Sequence, residues 1–388
     1  MFIQRAKSLM KPVATGLLGL VILTMQPSIA EANVGTPLMW VTAFQLFIGN
    51  ALIGILEGYL LTWIYRIPAR RSVPLMILAN YFSAWVGWVW LSEFARNQND
   101  LTLYNVQRFL WGMIAAAYVA TLWLEWPFVA ISIWGKGHDL RRSFVASLFV
   151  QSVSYVLLFG WFGMASVRSL LTDVTLVPSE QIPLPPNVRI YYIANEDGDI
   201  YSREPSAGKV EKVFDLDSTD LSDCLWFDEP EMTTGPRELV ALQESGDFNN
   251  PKIVHTGIIV ANANCPKGEN NFPAYRQRDP TPSSGTATRL GAAQNSPWSF
   301  VAGYWPLQGL SGENSKTGEQ LRCALEAPFV QWRVVHAILL PTDKVLFQLG
   351  RRQTCLLDPE ARKLSMLCLG RGAVAVLEPS SLRPEQAE

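Results

Sequence analysis

Cysteine, histidine and basic charge are each missing from part of this chain, and each gap excludes something. The first 170 residues contain no cysteine, and all five cysteines follow. No Cys-x-x-Cys pair exists, so neither a zinc ribbon nor a thioredoxin-like redox site is expected. Only three histidines occur, His138, His255 and His336. None lies in a long apolar run, which removes bis-His haem ligation and disfavours an intramembrane metalloprotease. The second part holds 20 Lys+Arg against 28 Asp+Glu. An acidic half lacks the basic footprint that nucleic acid requires.

What is present divides the chain into two kinds of material. Up to residue 170 there are 12 Lys+Arg, 6 Asp+Glu and ten of the 14 tryptophans. Residues 1–32 read as a secretory signal. Arg5, Lys7 and Lys11 precede a short apolar stretch, and Ala30 and Ala32 stand where a signal peptidase reads small residues. Four apolar runs follow, at about 38–65, 74–94, 106–134 and 143–168. Each reaches the roughly 20 residues that cross a bilayer, so a four-helix transmembrane domain is expected over 33–170. Arg66, Arg70 and Arg71 follow the first run; Lys136, Arg141 and Arg142 follow the third. The loop at 92–105 is nearly neutral. The positive-inside rule puts the two basic loops in the cytoplasm and everything after residue 170 outside the cell membrane. Trp40, Trp63, Trp90, Trp134 and Trp161 sit near run ends, where interfacial rings belong.

Strongly polar residues inside a span are costly and each needs a reason. Each run carries one at a similar depth: Glu57, Asn80, Glu125 and Gln151. Counted from the nearest basic residue they lie 9 (66−57), 9 (80−71), 11 (136−125) and 9 (151−142) positions in. At the helical rise that is about 13–17 Å from the inner rim for all four. The expectation is one polar layer near mid-membrane. Asn50 joins the stripe of Glu57 on the first helix, and Gly54-x-x-x-Gly58 allows a neighbour to approach closely. Pro127 frees a carbonyl in the turn before it. The layer has two readings: a hydrogen-bond network holding the bundle, or a site for a proton, small cation or ligand. Ser83, Ser152 and Ser154 lie in spans without a base to activate them. No catalytic constellation, metal site or cofactor is expected.

The second part begins with a Pro-rich stretch, read as an extended linker over 171–187. The remainder, 188–388, reads as an all-β extracytoplasmic domain. An Asp-Gly turn at 197–198 joins two strand signals into a hairpin. Further apolar runs start at Cys224, Glu238, Lys252, Trp298, Arg333, Lys344 and Ala373, with no helical period. The acidic run Asp215, Asp217, Asp220, Asp223, Asp228, Glu229 and Glu231 lacks the calcium-loop spacing and reads as a solvated loop. The segment 266–295 reads as a long loop. The pattern from Arg189 through Glu204-Pro205 to Lys209 recurs from Lys344 through Asp358-Pro359 to Lys363, at a constant offset of 154 (358−204) from Glu204 onward. Such a repeat resembles a divergent β-propeller, whose blades run about 40 residues, with 373–377 joining the first blade; a β-sandwich with similar end hairpins is the alternative. Cys355 and Cys368 flank the second turn and are expected to form a disulfide. The partners expected are the bilayer and a protein or ligand at the outer domain. The leading function is a membrane-anchored extracytoplasmic binding protein; a proton- or small-cation-handling protein using the polar layer is the alternative.

Overall fold

The computed structural model describes residues 48–96, 101–134, 140–165, 174–204, 209–221, 223–227, 237–243, 252–260, 285–303, 308–324, 330 and 332–378. The signal segment, Lys136, His138, Asp228, Glu229, Glu231, Cys265 and most of the long loop lie outside them. Among the described residues four helices come first: α1 (Asn50–Tyr65), α2 (Ala69–Arg96), α3 (Val106–Ile133) and α4 (Leu140–Ala165). α3 and α4 are long and apolar enough to cross a membrane. α3 continues through Pro127 without interruption. The helices form a ring in which α1 packs on α2, α2 on α3, α3 on α4 and α4 on α1. The α1–α2 contact is the closest, as the two glycines imply. A Cβ on Gly54 would stand 2.5 Å from the Ile77 backbone, and one on Gly58 2.6 Å from that of Val73.

Among the described residues the β part contains sixteen strands in three sheets. The largest is nine-stranded, mixed and curled into a half-barrel. Its path runs β4 (Val210–Phe214), β3 (Ile200–Arg203), β2 (Val188–Ala194), β16 (Lys363–Leu377), β15 (Gln353–Asp358), β14 (Val345–Leu349), β13 (Val334–Leu339) and β9 (Thr288–Arg289). The short β1 (Thr175–Leu176) lies parallel to β16. A four-stranded sheet holds β8 (Gly285–Thr286), β10 (Trp298–Ala302), β11 (Leu310–Asn314) and β12 (Gln320–Cys323). A three-stranded sheet holds β5 (Cys224–Phe227), β6 (Arg237–Gln243) and β7 (Lys252–Val260).

Strand alternation explains how the sheets stack. On β2, Tyr191 and Ile193 face one way and meet Leu225, Leu239 and Ala241 of the three-stranded sheet. On β14, Val345 and Phe347 meet Trp298, Phe300 and Leu310 of the four-stranded sheet. Ile190, Leu346 and Leu356 belong to a separate cluster closed by Val177, Ile182 and Leu184. The stretch expected as a free linker is thus built into the domain, because its apolar residues alternate with its prolines and are buried. Both copies of the sequence repeat fall in the large sheet, one as β2–β4 and the other as β14–β16. A propeller would place them in separate blades. Instead the 15-residue β16 spans both: its first half pairs with β15 and its second, including 373–377, with β2.

The expected Cys355–Cys368 disulfide is not formed; both thiols are free. Cys355 lies opposite Met366, but a bulge inserts Leu367, so Cys368 lies opposite Thr354. One extra residue turns a side chain to the other face. Cys355 accordingly packs with Phe347 and Cys368 with the cluster on the opposite face. Burial raises the Cys355 thiol above its ordinary range and pushes the Cys368 thiol up to about 12, so neither supplies a thiolate.

Candidate functional site in the helix bundle

The four polar residues singled out by their depth are brought together. Glu57, Asn80, Glu125 and Gln151 are all buried. Asn80 Nδ2 donates to Glu57 Oε2 at 2.6 Å, and Gln151 Nε2 donates to Glu125 Oε2. Two serines complete the set. Ser154 Oγ donates to Glu57 Oε1 at 2.6 Å, and Ser83 Oγ to Glu125 Oε1 at 2.5 Å. Each carboxylate oxygen therefore accepts a bond from a neutral donor. Each carboxylate is held by one amide and one hydroxyl, one from α2 and one from α4.

Helical geometry positions the donors. Asn80 and Ser83 are three apart on α2, and Gln151 and Ser154 three apart on α4, so each pair shares a face. Sequence reading named both serines but did not join them to the layer, because an isolated serine in a span is ordinary. The available signal was the repeated spacing, an amide followed by serine three positions on.

A cavity of about 220 Å³ adjoins the cluster. Asn80, Ser83, Glu125, Gln151 and Ser154 line its polar end, while Gly87, Ala117 and Leu158 line the rest, with Asn50 also on its wall. Gly87 and Leu158 lie C-terminal to the donors on α2 and α4, and Ala117 lies N-terminal to Glu125 on α3. The cavity thus extends from the carboxylates toward the end of the bundle where α2 leads into α3. Thr121 and Tyr155 share a hydroxyl contact of 3.3 Å on its wall.

That same end of the bundle meets the β domain. Leu103, in the α2–α3 connection, is fully buried among Trp298, Phe300, Phe347 and Leu357. Its N–H donates to Gln353 Oε1 at 2.6 Å. Tyr104 OH donates to the Val177 carbonyl at 3.0 Å and accepts from the Met366 N–H at 3.2 Å. The α2–α3 connection and the β domain are therefore on one side. At the opposite end Arg71 donates to the Ile131 and Trp134 carbonyls at 2.6 and 3.1 Å, satisfying the last turn of α3.

Within the β domain, acidic residues of the run near residue 220 have local partners. Lys212 forms ion pairs with Asp199 and Asp215, and Ser218 Oγ donates to Asp223. Among the described residues no group of three His, Cys, Asp or Glu is placed to hold a metal ion. No protein-family model matches the sequence, and no characterised protein matches it.

Proposed function

We propose that the chain is a four-span membrane protein that holds a proton or small cation at Glu57 and Glu125, reached from the outer side. One observation carries this reading: two buried carboxylates, each clasped by neutral donors, adjoin a cavity that extends toward the β domain. A buried carboxylate without a cationic partner is costly unless a proton or another cation neutralises it.

The inside-out character of all four helices supports the membrane assignment. Trp63, Leu78, Phe82, Trp85, Trp123, Val145 and Val156 are exposed, whereas Glu57, Ser72, Asn80, Glu125, Ser147 and Gln151 are buried. A bundle in water has the reverse pattern. Even crossing between the α2–α3 connection and residue 174 is consistent with the β domain joined to that connection. The basic loops, Arg66 to Arg71 and the segment around Arg141, lie at the other end, which the positive-inside rule assigns to the cytoplasm. The β domain is then extracytoplasmic. Its exposed Ile253 and Ile259 on β7 favour a second role, contact with a partner or ligand outside.

Thermal stability of the purified full-length protein in lipid nanodiscs, measured against pH and against NaCl, KCl and LiCl, tests the proposal. Stability should depend on at least one of these cations or on the proton outside the acid limb below about pH 4, and changing both carboxylates to glutamine should abolish that dependence. If the double variant keeps the wild-type dependence, the site lies elsewhere.

A further inference from the structure

The four carboxylate bonds have a symmetry that no single helix reveals. Glu57 on α1 takes its amide from α2 and its hydroxyl from α4. Glu125 on α3 takes its amide from α4 and its hydroxyl from α2. Exchanging α1 with α3 and α2 with α4 maps the set onto itself. In a ring of helices alternating in direction, that operation is a twofold axis along the bundle.

The sequence carries the same relation. Arg70-Arg71-Ser72, Asn80 and Ser83 correspond to Arg141-Arg142-Ser143, Gln151 and Ser154 at a constant offset of 71 (141−70). Glu57 and Glu125 are 68 apart (125−57). The difference of 3 is accounted for by the inner connections. Three residues separate Tyr65 from Ala69, and six separate Ile133 from Leu140. Leu61 and Val129, also 68 apart, are both buried one turn beyond the carboxylates. Ser72 and Ser143 each bond to the preceding helix of their own hairpin, Ser72 to Thr62 at 2.8 Å and Ser143 to Trp126 at 2.9 Å.

The two halves differ where it matters for access. Gly54 and Gly58 on α1 correspond to Leu122 and Trp126 on α3. The glycines let α2 close onto α1 with no room for a Cβ. The cavity is lined by Glu125 and not by Glu57.

Resting on the function proposed above, we infer that α1–α2 and α3–α4 are two copies of one helical-hairpin unit, and that they have diverged into unequal roles. Glu125 is the carboxyl that exchanges a proton or small cation with the cavity. Glu57 is its sealed counterpart, a positioning residue that acts through the shared α2 and α4 donors. The titratable groups that interact with Glu125 are Glu57 from α1 and Tyr155 from α4, and Tyr118 on its own helix meets Tyr155. α2 presents the neutral Asn80 and Ser83.

The test is an infrared titration of the carboxyl band of the full-length protein in nanodiscs, repeated with NaCl as the cation probe. Glu125→Gln should remove one titrating carboxyl band and any response to sodium. Glu57→Gln should keep the band and move its midpoint by about one pH unit, roughly a tenfold change in proton affinity. Loss of the band in Glu57→Gln with its retention in Glu125→Gln overturns the division of roles, as does equal behaviour. A wild-type protein whose titrating carboxyl bands are all unchanged by both substitutions, and on which sodium has no effect, defeats the proposed function itself, and with it the division. The duplication has its own readout. Ser83→Ala and Ser154→Ala occupy equivalent places and should each lower the melting temperature. Unequal losses, with one variant indistinguishable from wild type, overturn the equivalence whatever the site binds.

Discussion

Replacing Leu103 should loosen the β domain from the helices. This side chain projects from the α2–α3 connection, yet it has no exposed surface and packs among Trp298, Phe300, Phe347 and Leu357. Truncating a fully buried leucine to alanine removes its transfer free energy and leaves a cavity, together about 2–5 kcal/mol. The backbone N–H keeps its bond to Gln353 in that variant, so the loss is one of packing. Gln353→Ala does the converse: it leaves the buried Leu103 N–H without an acceptor, at about 1–3 kcal/mol. Hydrogen exchange of the full-length protein in nanodiscs reads both effects. Amides of β14, β15 and the first half of β16, which surround the Leu103 side chain, should exchange about 30-fold faster or more in Leu103→Ala, the rate equivalent of 2 kcal/mol. Leu369→Ala, at a 42% exposed position on the same strand, is the control and should change little. If Leu103→Ala behaves like that control, the connection is not seated in the β domain, and the shared side of the two is lost as an argument.

Three further outcomes follow from the same structure. Non-reducing peptide mapping should find Cys355 and Cys368 unlinked, because the bulge at Leu367 sends them to opposite faces; a linked peptide would show the bulge to be misplaced. The Lys212 ammonium, with the Asp217 and Leu216 N–H groups, holds the Asp199 carboxyl down to about 2. A carboxyl depressed in the folded state stabilises above its ordinary value near 4 and loses that contribution as pH falls toward 2. Acid unfolding of the protein should therefore shift in that window, and Asp199→Asn should flatten this limb; an unchanged acid limb in the variant refutes the assignment. Gly58→Leu should prevent α1 and α2 from closing, since even a Cβ would lie 2.6 Å from the Val73 backbone. A wild-type yield and melting temperature for that variant would contradict the packing.

The polar layer was legible because depth in a helix follows from counting residues, and the basic loops supplied the zero of the count. Glu57, Asn80, Glu125 and Gln151 needed nothing more. The duplicated hairpin was hidden by the three-residue difference between the inner connections, which splits one repeat into offsets of 68 and 71. In the β part, composition and turn chemistry marked most longer strands, including the hairpin at Gly198, whose φ of +77° fits the Asp-Gly turn. Their arrangement was not legible. Two copies of a motif 154 residues apart suggested separate blades, but β16 is long enough to pair with both. The register of β15 and β16 depends on a bulge that no residue type announces. Pro-rich composition suggested an exposed spacer between residues 171 and 187, yet Val177, Ile182 and Leu184 supply enough apolar surface to cover one face of the large sheet.

The central claim is that two carboxylates meet the donors of α2 and α4 inside one closed ring of helices. The contact that closes the ring is Ser154 on α4 with Glu57 on α1, 97 positions apart and 2.6 Å between oxygens. Disulfide crosslinking in native membranes reads it directly, with Glu57→Cys and Ser154→Cys combined in one chain and the products mapped by peptide analysis. The account predicts efficient 57–154 linkage, and none above background for the exposed pair Leu78→Cys with Val156→Cys. Absence of the 57–154 product, under conditions where Glu57→Cys with Asn80→Cys does link, would contradict the closed ring and the site built within it.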